Sequence, residues 1–81
     1  MENRIQEMFR KVEALEGLTQ IQETWASIVE KITEEERAHY VLMLETAKFF
    51  MMKGDFQRVI REYQTTHLFL LNIQLRGKRA A

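Results

Sequence analysis

The chain has no cysteine, no proline and only three glycines, and no apolar run approaches the length of a membrane helix. Each absence excludes something. Without cysteine there is no disulfide frame, no thiolate nucleophile and no thiolate metal site, so packing alone has to hold the fold, as suits a reducing, cytoplasmic setting. With so few breakers, a sequence rich in Glu, Gln, Leu, Met and Arg favours helix. A bilayer-spanning helix needs about 20 consecutive apolar residues, and Met1-Glu2-Asn3-Arg4 runs into an amphipathic pattern instead of a leader core. The expectation is neither a membrane span nor secretion. Twelve acidic and twelve basic side chains cancel, which removes the net positive field common among nucleic-acid binders.

What is present fits one small helical domain. At 81 residues, folding buries only about 60–65 % of the surface that the unfolded chain exposes. Stability is then marginal unless a partner covers more, and self-association is expected.

Residues 2–16 place Ile5, Met8, Phe9, Val12 and Leu15 three and four apart, one apolar stripe on a helix. Gly17 follows where a left-handed C-terminal residue is wanted, and Leu18 is placed to fold back on Val12. Thr19 then caps a second helix, with Gln22 completing a capping box and Leu18, Ile21, Trp25, Ile28 and Ile32 forming its stripe, which also has coiled-coil spacing. The competing reading is one continuous helix over 2–32, with Gly17 tolerated inside at about 1 kcal/mol. The break or sharp kink at Gly17 is the expectation taken forward.

Thr33-Glu34-Glu35-Glu36 is clearer punctuation: a threonine cap, a glutamate three residues on to return the hydrogen bond, and carboxylates facing the positive helix end. This helix should run to about Lys53. Gly54 stops it, and Asp55 caps a last helix from Phe56 to about Arg76. Gly77 and the following Lys78 and Arg79 suggest a stop and a basic, frayed tail. Residues 68–75 also alternate like a strand, but no second strand is available to pair with them.

Two helices carry more apolar surface than one neighbour can cover. In the helix from Thr33, Tyr40, Met43, Leu44, Ala47, Phe50 and Met51 make one face, while Val41, Leu42, Phe49 and Met52 fall on the other. In the last helix, Leu68 and Phe69 lie off the stripe of Phe56, Val59, Ile60, Tyr63, His67 and Leu70. Methionine-rich, aromatic surfaces of this kind re-pack readily against partners. Val41, Leu42, Phe49, Met52, Leu68 and Phe69 are therefore the candidate protein contacts.

Charge is balanced overall but not along the chain. Residues 1–36 hold nine acids and four bases, residues 37–81 three acids and eight bases, so the halves differ by minus five against plus five. Opposite halves can pair within one molecule or orient two copies. Lys53, Arg58, Arg61, Arg76, Lys78 and Arg79 could instead contact phosphates, and nucleic-acid binding is the alternative function. Against it, the last helix is largely apolar after Tyr63, unlike a polar recognition helix.

Chemistry-bearing constellations are sparse. A di-iron carboxylate site needs Glu-x-x-His twice, and Glu36 with His39 supplies it once. His67 falls inside an apolar stripe, where a buried neutral imidazole bonded to a threonine or a carbonyl is the plain reading. Ser27 is the only serine and has no histidine near it in sequence, and no glycine-rich loop could cradle phosphate. No enzyme, metal or cofactor is expected.

Ala47-x-x-Phe50-x-x-x-Gly54-Asp55-Phe56-x-x-Val59-Ile60-x-x-Tyr63 resembles the middle of a tetratricopeptide unit, over about a fifth of the chain. Val59 stands where that family prefers alanine, Thr66 replaces a later alanine, and the early tryptophan is absent. The resemblance implies an antiparallel helical hairpin and protein-protein recognition. Together the readings give an all-α bundle of three to four helices, one domain over 1–76 with a tail at 77–81, and a long C-terminal hairpin. The expected role is a small non-enzymatic interaction module, a regulator, adaptor or inhibitor, acting as a homodimer.

Overall fold

The computed structural model describes residues 2–79, with side chains from Arg4 to Arg76. It contains three helices, α1 (Glu2–Ile28), α2 (Glu34–Met52) and α3 (Phe56–Arg79), and no strand occurs among the described residues. The alternation in residues 68–75 therefore belongs to a helix. The all-α class agrees with the sequence, and the described residues form three helices.

The break expected at Gly17 is not there. α1 passes through this position without a left-handed residue, the only positive-φ glycine among the described residues being Gly54. A Cβ built on Gly17 would lie 3.4 Å from the Cβ of Tyr63, so the small residue marks a close approach between α1 and α3. Packing there offsets the roughly 1 kcal/mol that glycine costs inside a helix. Nor does Thr19 act as a cap: its hydroxyl donates to the Leu15 carbonyl, 3.0 Å away within the same helix. The first helix also ends at Ile28 rather than at Ile32, and residues 29–33 carry the chain round to α2.

The other punctuation acts as its chemistry dictates. The Thr33 hydroxyl accepts the Glu36 backbone N–H (3.1 Å), and the Glu36 carboxylate accepts the Thr33 N–H (3.0 Å), a complete capping box. Gly54 takes φ +77° between α2 and α3, a value that glycine reaches at little cost. The Asp55 carboxylate then accepts the Arg58 N–H at 3.3 Å. At the other end of α3, Gly77 does not stop the helix, which runs on to Arg79; the last part of the expected tail, residues 80–81, lies outside the described residues.

α3 is the central helix. It packs along both α1 and α2, whose backbones stay apart from each other. Contacts between α1 and α3 advance in step: Lys11 over Phe56, Gly17 against Tyr63, Thr24 beside His67, and Ser27 accepting from Gln74. α1 meets α2 through Trp25, whose indole stacks on the Tyr40 ring at 4.2 Å with 9° between the planes. The buried core comprises Ala14, Ile21 and Ile28 of α1, Tyr40 and Ala47 of α2, and Val59, Tyr63, Leu70 and Ile73 of α3. Burial raises the pKa of both tyrosines. Thr66 is buried too, its hydroxyl satisfied by the Glu62 carbonyl at 2.8 Å. The molecule measures 52 × 19 × 15 Å, an elongated body.

Candidate interaction surface

The expected contact residues do not form one patch. Val41, Leu42, Phe49 and Met52 lie along the outward face of α2, with Met52 80 % exposed. They face outward because Tyr40 and Ala47, on the opposite side of the same helix, occupy the core. Phe49 meets Phe50 edge-on at 5.4 Å, and the Lys53 ammonium sits 4.9 Å from the Phe49 ring centroid. Leu68 is exposed on α3, at a helical angle far from the side chains that meet α1 and α2. Phe69 departs from the expectation. It is half-buried and packs on the core, with its ring 5.0 Å from that of His39.

The larger surprise is in α1. Ile5, Met8, Phe9, Val12 and Leu15, the stripe expected to face the core, are 51–66 % exposed. The reason is phase. At 100° per residue, the mean direction of this stripe differs by roughly 160° from that of Ala14, Leu18, Ile21, Trp25 and Ile28. A turn at Gly17 could have folded both stripes inward, but a continuous helix buries only one. The second stripe packs on α3, leaving the first in water. This surface was legible from the angle between the stripes once the helix was read as continuous. Ile5, Met8, Phe9 and Val12 line a shallow apolar depression, and Leu15 borders an apolar groove with Leu18, Met51, Phe56 and Tyr63.

The basic residues are divided between the two ends of α3. Lys53, Arg58 and Arg61 surround the α2–α3 turn, and Arg58 lies 5.0 Å over the Phe50 ring. Arg76 stands 18 residues beyond Arg58, about 27 Å along the helix. Its guanidinium is bidentate on Glu36, at 2.7 and 2.9 Å. These hydrogen bonds, then those from Thr33, bring the Glu36 pKa from its ordinary 4.5 to about 2. The side chains of Lys78 and Arg79 lie outside the described residues.

The histidines have ordinary partners. The Thr24 hydroxyl lies 3.0 Å from the Gln20 carbonyl and shares a hydrogen bond with Nε2 of His67 at 3.1 Å. Glu36, the carboxylate of the Glu-x-x-His spacing, is committed to Arg76 and to its cap, while His39 faces Phe69. No three His, Asp or Glu side chains gather to hold a metal among the described residues. Within the same residues, no helix is long and apolar enough to cross a membrane. Comparison with known protein families, curated proteins and solved structures finds no match.

Proposed function

We propose that this protein is a small non-enzymatic interaction module that binds protein partners through apolar helical surface, as a homodimer. The observation that carries the reading is the outward face of α2, where Leu42, Phe49 and Met52 are 60, 53 and 80 % exposed on a helix whose inner face is already packed. Contiguous apolar surface on a small folded chain marks a binding site more often than a solvated one. An aromatic and a flexible methionine suit an adaptable contact.

In this reading α2 and α3 form an antiparallel helical hairpin, as the tetratricopeptide resemblance implies. The pairing of Glu36 with Arg76 at one end, and of Phe50 with Arg58 at the other, supports it. Phosphate binding through the basic residues has less support, because Arg76 is engaged by Glu36 and stands far from the Lys53–Arg61 group.

The test is Phe49→Glu combined with Met52→Glu. Both side chains are exposed, so circular dichroism should report an unchanged fold while partner capture from cell extract is lost. Retained capture by the folded variant would refute the α2 face as the docking surface.

A further inference from the structure

Ile5, Met8, Val12 and Leu15 fit the a, d, a and d positions of two successive heptads, so the exposed stripe of α1 has the spacing of a coiled-coil seam. The flanking g positions are Arg4 and Lys11, and the flanking e positions are Phe9 and Glu16. We propose that this seam pairs with the same seam of a second copy, making a parallel two-stranded coiled coil between protomers. The proposal rests on the interaction-module reading and gives its homodimer a definite face, which leaves the outward face of α2 free for a partner.

Sequence and geometry together fix the occupant and its direction. Side chains branched at Cβ at both a positions, Ile5 and Val12, with Met8 and Leu15, which are not, at the d positions, favour two parallel strands. In a parallel pair, each g residue faces the e residue of the following heptad across the interface. Lys11, exchanging its place over the Phe56 ring of its own chain, then meets Glu16 of the second copy, and Arg4 meets the Phe9 ring of the second copy, an ion pair and a cation–π contact. An antiparallel pair that matches all four layers would set Lys11 against Lys11 of the second copy, like charge on like.

Because the seam points away from the side of α1 that packs on α3, the two protomers would stack as α3, α1, α1, α3. The helix is also already formed, its second half being anchored on α3 through Ile21 and Ile28. Pairing is thereby spared the nucleation cost that makes isolated two-heptad coils marginal.

Sedimentation equilibrium of the full chain, from low micromolar to millimolar concentration, should show a monomer passing to a dimer. Ile5→Glu combined with Val12→Glu should weaken that dimer at least about a hundredfold by placing charge in the seam, while the circular dichroism of the monomer is unchanged. Lys11→Glu should weaken it about tenfold, and adding Glu16→Lys should restore it; a dimer that Lys11→Glu leaves unchanged would mean that Lys11 does not meet Glu16 of the second copy, and would overturn the proposal. Val12→Cys, in a chain with no other cysteine, should give a covalent dimer on oxidation, because facing a positions meet in a parallel pair.

The coiled coil is refuted by a chain that stays monomeric at millimolar concentration, or by a dimer that Ile5→Glu with Val12→Glu leaves intact. Val12-dependent binding to anionic lipid vesicles by a monomer would refute it as well. Loss of the dimer in the Phe49→Glu, Met52→Glu variant alone would sink the α1 seam and leave the interaction-module reading standing. Loss of partner capture in that variant, with the dimer preserved, would support both.

Discussion

The two halves of α1 carry apolar stripes of similar density, yet one lies in the core and the other in water. Ile21 is fully buried against α3, whereas Val12, nine residues earlier on the same helix, is half exposed. Helical amphipathicity therefore does not by itself say which stripe a fold will bury. When two stripes on one continuous helix are out of phase, a single neighbour can cover only one of them, and the other is left for something outside the monomer.

The comparison can be broken most decisively by truncating each half. Ile21→Ala should cost about 3 kcal/mol, the loss expected for a buried branched side chain that leaves a cavity. Val12→Ala should change the stability of the monomer by less than about 0.5 kcal/mol, as for an exposed site. Urea unfolding at a concentration low enough to keep the chain monomeric, followed by Trp25 fluorescence, measures both. Equal losses would mean that the first half of α1 is packed after all.

The glycines sharpen the same contrast at a smaller scale. If Gly17 lies inside a continuous helix, Gly17→Ala should stabilise the fold by about 0.5–1 kcal/mol through helix propensity, since a Cβ there meets Tyr63 at 3.4 Å, an ordinary contact. Gly54→Ala has open space but a positive φ, and should cost about 1 kcal/mol. A loss of similar size at both sites would point to a turn at Gly17 and restore the broken-helix reading.

Thr33→Ala should cost about 1 kcal/mol by removing the cap of α2, with fraying visible as faster amide exchange in residues 34–37. The smallest expected effect is electrostatic. Glu36 titrates lower in the folded chain than in the unfolded one, because Arg76 and Thr33 hydrogen-bond its carboxylate. Its contribution to stability is therefore complete above pH 4.5 and is lost as the pH falls toward about 2. Arg76→Gln should flatten that acid-side slope while leaving neutral-pH helicity unchanged; an unaltered slope would show that the pair does not persist in solution.

Much of this architecture was legible in the residues, because the signals involved are local. The Thr33-Glu34-Glu35-Glu36 cap, the Gly54-Asp55 turn and the inner faces of α2 and α3 depend on groups within about one or two helical turns, and each appears where its chemistry requires. The candidate surface was legible in part. Val41, Leu42, Phe49 and Met52 are exposed, but Phe69 is drawn in beside His39, and no feature near Phe69 in sequence announces a ring from another helix. Leu75 is exposed as well, in an alternating run that does not show which side a helix leaves outward.

By itself, the sequence determined that the chain is helical, where α2 begins, and where α2 gives way to α3. Only the tertiary structure decided the fate of Gly17, the phase of α1 on α3, and the union of Glu36 with Arg76. The physical reason is one of range and balance. Caps and turns are set by hydrogen bonds a few residues apart, whereas keeping α1 continuous through Gly17 sets about 1 kcal/mol of local helix cost against contact with Tyr63, 46 residues further along the chain.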